Sequence, residues 1–152
     1  MEPFRIVLAD DHTLVRQGIR KILEGKDDLE VVGEAGDGIE LLFLLDKLRP
    51  QMVILDISMP NFQGIEAARQ IKMKYPGMKI LIMTMHKERE YLYKAISAGA
   101  EGYLLKEDAE KELFSAIEAL RAGKGFVSPI ILGELGIPKE LLEKLFKYVL
   151  DQ

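Results

Sequence analysis

The chain has 152 residues, enough for one domain with a sizeable core and a small appendage. It has no cysteine and only two histidines, His12 and His86, which excludes disulfides, thiolate metal sites and thiol catalysis and counts against a histidine-based zinc site. A formal net charge of −4 gives no broad attraction to nucleic acid, and no apolar run reaches membrane-spanning length, so the expected compartment is cytoplasmic with no membrane contact.

Residues 4–9 read as a first strand that ends on Asp10-Asp11. His12-Thr13 then opens a helix in which Val15, Ile19, Ile22 and Leu23 recur at helical spacing until Gly25 stops it. Residues 29–35 form a second, weaker strand nearer an edge. Gly36-Asp37-Gly38 makes the turn into a leucine-rich helix over 39–48, ended by Arg49-Pro50. Met52-Val53-Ile54-Leu55 is an apolar run that stops on Asp56, as a strand buried on both faces of a parallel sheet does. A loop through Pro60 and Gly64 leads to a third helix with Ile65, Ala68, Ile71 and Tyr75 on one face, terminated by Pro76-Gly77. Residues 79–84 are a fourth strand, 87–98 a fourth helix with Gly99 as its left-handed terminus, and 102–106 a fifth strand. Ala109, Leu113, Ile117 and Leu120 form the buried stripe of a fifth helix that ends at Gly123.

Strictly alternating strands and helices imply an α/β fold, a parallel sheet covered on both faces by right-handed crossovers. Five strands in a domain of this size suit the flavodoxin-like (βα)5 arrangement with strand order 2-1-3-4-5. In that order the carboxyl ends of the strands deliver Asp10 and Asp11, Asp56, Thr84 and Lys106 to one rim. Carboxylates gathered in this way need a cation, and a hard divalent ion such as Mg²⁺ (or Mn²⁺) suits the oxygen-rich set. The assembly fits phosphoryl transfer, which requires charge neutralisation and in-line positioning. Asp56, on the central strand, is the expected nucleophile. Asp10 and Asp11 would hold the metal, and Lys106 and Thr84 would bind the phosphoryl oxygens.

Ala9-Asp10-Asp11-His12, Leu55-Asp56-Ile57-Ser58-Met59-Pro60, Thr84 and the stretch from Gly99 to Lys106 resemble the receiver domain of two-component response regulators. The stretches 11–19 and 99–106 resemble the NarL/FixJ (LuxR-type) class in particular, and the similarity covers roughly residues 4–124. The resemblance implies that Asp56 accepts phosphate from a cognate sensor histidine kinase. It implies Mg²⁺ at Asp11 and Asp56, supported by Asp10 and the Ser58 backbone carbonyl, with Thr84 and Tyr103 as a switch pair. In that scheme Thr84 moves toward the phosphoryl group and Tyr103 turns inward into the space beside it, changing a surface that controls dimerisation and transcriptional output. Such a domain is not an enzyme beyond self-catalysed phosphorylation and slow autodephosphorylation. Glu107 stands where many receivers carry proline after the lysine, and a cis bond costs about 2.5–4 kcal/mol without proline, which counts against one here. His12 reads as a surface residue at a helix start, and His86 as a residue placed to tune access of water to the phosphoryl group.

The receiver is expected over 1–126, with a helical extension over 127–152. Members of the class carry a helix-turn-helix output domain, for which this extension has no room. A full-length version would bind DNA. The extension itself, with three lysines against three glutamates and one aspartate and no arginine, would not. Gly133, Gly136 and Pro138 read as breaks, and Pro138 fits the first turn of a helix with Leu141, Leu142, Leu145, Phe146 and Val149 on one face. That face has three readings: packing on its own receiver against the fifth helix, a dimer contact, or a partner-binding surface. The competing function is a Mg²⁺-dependent phosphohydrolase of the haloacid-dehalogenase type, whose Asp-x-Asp nucleophile motif lies on the first strand; here the first strand ends in an adjacent Asp10-Asp11 pair.

Overall fold

The computed structural model describes residues 2–150. Six parallel strands form one sheet: β1 (Phe4–Ala9), β2 (Leu29–Ala35), β3 (Met52–Leu55), β4 (Lys79–Thr84), β5 (Gly102–Leu105) and β6 (Phe126–Val127). Their order is β2-β1-β3-β4-β5-β6, the flavodoxin-like order extended by one edge strand. Seven helices accompany them: α1 (Thr13–Leu23), α2 (Gly38–Leu48), α3 (Gly64–Lys74), α4 (Arg89–Ser97), α5 (Ala109–Arg121), α6 (Pro129–Leu135) and α7 (Lys139–Leu150).

Because successive side chains of a strand point to opposite faces, the central strands divide their residues between two cores. Val7, Val53, Leu55, Ile80, Ile82 and Leu105 meet Leu41, Leu45, Ala68, Ile71, Leu92 and Ile96 from α2, α3 and α4. Ile6, Leu8, Met52, Ile54, Leu81 and Met83 meet Ile19, Leu23, Leu113, Ile117 and Leu120 from α1 and α5. With helices on both faces, every residue of β3 and of β5 is buried. The sheet order reverses between β1 and β3, and the crevice outside their carboxyl ends is where ligands bind in folds of this kind.

Three details differ from the sequence reading. β6 was not expected; it is two residues long, too short to show periodicity, and it pairs with β5 through Gly102–Phe126 and Tyr103–Val127. α6 was not expected either, because Gly133 read as a break. Gly133 lies inside the helix, and it is Gly136, at φ 63°, that ends it. The stripe of α7 packs on its own receiver, against α4 and, through Phe146, against Gly125 just past α5. Leu142 and Phe146 are buried, but Leu141 is exposed. Among the described residues every peptide bond is trans, Lys106–Glu107 included. No described helix is long and apolar enough to cross a membrane.

Candidate functional site

The site is assembled by backbone pairing. The Asp56 N–H donates to Ala9 O at 2.8 Å and the Asp10 N–H to Ala35 O at 3.0 Å, so each carboxylate leaves the sheet one residue past its strand. Asp56 is 2% exposed and Asp10 6%. Lys106, which opens a single 3-10 turn (Lys106–Asp108) after β5, places Nζ 2.9 Å from Asp10 Oδ2 and 3.2 Å from Asp56 Oδ2. The Ser58 N–H donates to Asp56 Oδ1 at 3.0 Å. Arg16, from the second turn of α1, donates to the Asp10 carbonyl at 2.6 Å and to Glu34 Oε1 at 2.9 Å; Arg20 also pairs with Glu34. This brace fixes the β1–α1 turn beneath the acidic pair.

Electrostatics follow burial. Desolvation raises the Asp56 carboxyl above the ordinary range, and the charge of Asp10 raises it further. The Ser58 N–H and Lys106 pull it the other way. For Lys106, burial lowers the ammonium pKa, but the hydrogen bond from Nζ to Asp10 and the charges of Asp56 and Asp10 outweigh it, and the net shift is upward. The Tyr103 hydroxyl is pushed up, first by burial and then by Glu88 and Tyr91.

Asp10, Asp11, His12 and Asp56 each offer one ligand atom within 4.8 Å of one another. Asp11 Oδ1 is buried without a hydrogen-bond partner; His12 Nδ1 is 3.3 Å away but outside bonding geometry. An orphaned carboxylate oxygen beside two further carboxylates is the donor set a hard divalent cation takes, so the residues present fit Mg²⁺ or Mn²⁺.

Thr84 is fully buried, and its Oγ1 accepts from the His86 N–H at 3.1 Å. Tyr103 is 1% exposed, and its hydroxyl donates to the His86 carbonyl at 2.9 Å. Tyr103 is thus turned inward here, the orientation that the sequence reading reserved for the phosphorylated state. The structure brings Asp10, Asp11, Asp56 and Lys106 together, places Ser58 against Asp56, and bonds both Thr84 of β4 and Tyr103 of β5 to His86 on the β4–α4 connection.

Two neighbours escaped the sequence reading. His12, read as a surface residue, has a side chain 58% exposed, yet its Nδ1 reaches to 3.1 Å from Asp10 Oδ1. Arg16 looked like an ordinary polar helix position, and only its pairing with Glu34 at the end of β2 would have marked it. His86 stacks on Tyr91, with ring centroids 4.1 Å apart and 13° between planes. Its backbone serves both Thr84 and Tyr103.

An acidic rim with one lysine, at the carboxyl edge of a doubly wound parallel sheet, defines a receiver-like α/β domain as a class, and comparison with known proteins gives the family. Residues 6–118 match the response regulator receiver domain, and the chain belongs to that family. The transcriptional regulatory protein YxjL of Bacillus subtilis is 38% identical over 134 residues, which cover 88% of this chain and 62% of YxjL. Among solved structures, a LuxR-family two-component response regulator from Aurantimonas sp. SI85-9A1 superposes with a TM-score of 0.83 at 40% identity, covering 89% of this chain and 96% of that one. The RcsB response regulator of Salmonella typhimurium, studied for conformational dynamism in DNA interaction, gives 0.79 at 33% identity over 97% of this chain and 68% of its own. These relatives are of the NarL/LuxR type. The chain spans 62% of YxjL's length. The dehalogenase-type reading finds no support in this membership.

Proposed function

We propose that Asp56 accepts a phosphoryl group from a phosphohistidine on a sensor kinase, within a two-component phosphorelay. The setting of the Asp56 carboxylate carries this reading: 2% exposed at the carboxyl end of the central strand β3, with Lys106 Nζ at 3.2 Å and the Ser58 N–H on the other oxygen. In the transfer an Asp56 oxygen bonds to phosphorus as the phosphorus–nitrogen bond breaks, and the donor imidazole leaves with that electron pair. The ionised carboxylate is the nucleophile, so no proton has to be removed from it. Lys106 is held at the rim by Asp10 and turns its remaining donors to the phosphoryl oxygens.

Asp10, Asp11, Asp56 and the Ser58 backbone carbonyl would hold Mg²⁺ or Mn²⁺. Such an ion, when bound, neutralises charge on the transferred group. The Thr84 hydroxyl already accepts from His86, which leaves its hydrogen free to donate to a phosphoryl oxygen. Thr84 and Tyr103 then act as a switch pair: phosphorylation weights the arrangement with Tyr103 inward and bonded to His86. Moving a 1:99 equilibrium to 99:1 takes about 5.5 kcal/mol, which a few charge-assisted bonds and a repacked tyrosine can supply.

The receiver unit is assigned to 1–126 and the extension to 127–152. Phosphorylation is linked to homodimerisation in the cytoplasm, and DNA binding belongs to longer relatives. The chain is a phospho-acceptor that labels once and decays slowly. Acetyl phosphate with Mg²⁺, followed by intact mass and sizing, tests this reading. The expected result is one phosphoryl group on the chain and none on Asp56→Asn. Undiminished labelling of that variant, or steady release of phosphate from an ester, sinks the assignment.

A further inference from the structure

We infer that the two C-terminal helices are coupled to the switch: α6 docks on the short segment, His86 to Arg89, that the Tyr103 hydroxyl holds, and α7 packs on α4, which that segment opens, so docking of these helices and phosphorylation of Asp56 reinforce each other. The inference rests on the reading of Asp56 as phospho-acceptor.

The contacts converge on that segment from both sides. Arg89 donates to the Leu135 carbonyl at the end of α6 at 3.0 Å. Lys87 Nζ lies 2.9 Å from Glu107, just past β5, and 3.6 Å from Glu134 in α6. Between them the His86 carbonyl takes the Tyr103 hydroxyl at 2.9 Å. The start of α6 is tied to the same strand. The Ser128 N–H donates to the Tyr103 carbonyl at 3.0 Å, and Ser128 Oγ, fully buried, accepts from the Leu105 N–H at 2.8 Å. Tyr103 is therefore held at its backbone by the root of the C-terminal helices and at its hydroxyl by the segment on which α6 rests.

The docking has an apolar seat. Ile131, Ile137, Leu142 and Phe146 belong to the same core as Leu92 and Ile96 of α4. The ring of Phe146 lies against the backbone of Gly125, where a Cβ would meet it at 2.3 Å. Only glycine admits that approach. The Lys87 pairs are exposed and contribute little alone, so the seat and the Arg89 contact carry the docking. One conformation of residues 86–89 satisfies both the inward Tyr103 and the docked helices, and linkage makes the effect reciprocal.

Hydrogen–deuterium exchange of the full chain, with and without acetyl phosphate and Mg²⁺, tests the coupling, with intact mass reporting the phosphoryl group. In phosphorylated chain, amides of 139–150 are expected to exchange about five-fold more slowly or better. Unchanged or faster exchange there overturns the coupling and leaves Asp56 standing as acceptor. A second arm needs no phosphorylation. Gly125→Val and Phe146→Ala each unseat α7, and amides of 86–92 are expected to exchange about five-fold faster in both while those of β1 and β3 keep their rates. The coupling is overturned if 139–150 loosens with 86–92 unchanged, or if neither variant loosens 139–150. A chain that takes no phosphoryl group overturns the acceptor reading, and the variant arm then still decides the coupling.

Discussion

Lys106 Nζ sits 3.2 Å from Asp56 Oδ2, joining the end of β5 to the end of β3 across β4. The same ammonium is 2.9 Å from Asp10, so one cation separates two buried carboxylates. Lys106→Met removes it and leaves them facing each other. Stability at neutral pH is expected to fall by about 1–3 kcal/mol, read from urea unfolding. The double variant Lys106→Met/Asp56→Asn is expected to lose less than the single one, because the repulsion has gone. A double variant at least as unstable as Lys106→Met would show that the lysine stabilises by packing and not by its charge.

Away from the rim, Arg121 at the end of α5 donates to Asp28 Oδ2 at 2.8 Å, holding the approach to β2. That hydrogen bond keeps the Asp28 carboxyl below its ordinary range. A depressed folded-state pKa means stability that is present above the unfolded value, about 3.9, and lost as pH falls through the folded one. Asp28→Asn is thus expected to lower the urea midpoint slightly at pH 7, with the difference from the parent chain shrinking as pH falls below the unfolded value and vanishing once it has passed the depressed folded one. Both groups are accessible to water, so added salt should shrink the difference as well. A gap that persists unchanged at low pH would mean the asparagine acts through the loop and not through charge.

How much of this was legible from residues alone follows from the length of each signal. The apolar runs ending on Asp10, Asp56, Thr84 and Lys106 fixed which side chains share a rim, because strand ends in a parallel sheet all point one way. β6 has only two residues, below the reach of any periodicity. In α6, Gly133 resembles a break, yet it costs a helix only about 1 kcal/mol, which burial of Ile131 offsets. The stripe of α7 showed that one face is buried but not against what, since amphipathicity carries no partner. At the rim, the role of Tyr103 came only from the family resemblance, and the partner of its hydroxyl depended on the course of the β4–α4 connection. The approach of His12 to Asp10 was invisible because a histidine at a helix start is ordinarily solvated.

The orphaned Asp11 Oδ1 gives the metal proposal a readout independent of phosphorylation. A ligand that binds only the folded state at 100 times its Kd stabilises by about 2.7 kcal/mol. For a domain of this size that is a rise in Tm of roughly 5–11 °C. Mg²⁺ is expected to produce a shift of this order, saturating with concentration, and Asp11→Asn to abolish it while keeping the fold by circular dichroism. An equal shift in the variant would remove Asp11 from the ligand set.

Glu101 ties three strands and a helix together. Its Oε1 accepts from the Ile80 N–H of β4 at 2.9 Å, and its backbone carbonyl accepts from Phe126 of β6 at 3.0 Å. Its Oε2 lies 2.7 Å from Lys72 Nζ of α3, which also donates to the carbonyls of Pro76 and Met78. Glu101 is 5% exposed, so the pair is largely removed from water. Glu101→Ala leaves the Ile80 N–H without its acceptor and Lys72 without its counter-charge, and breaking a buried pair from one side costs about 3–5 kcal/mol. The expected fall in Tm is about 6–20 °C. Glu101→Gln keeps an amide oxygen for Ile80 and an acceptor near Lys72, and should cost only about 1–2 kcal/mol. Equal losses in the two variants would show that charge, not the hydrogen bond to β4, holds this corner. Losses below about 1 kcal/mol in both would show that Lys72 finds sufficient partners in the two carbonyls.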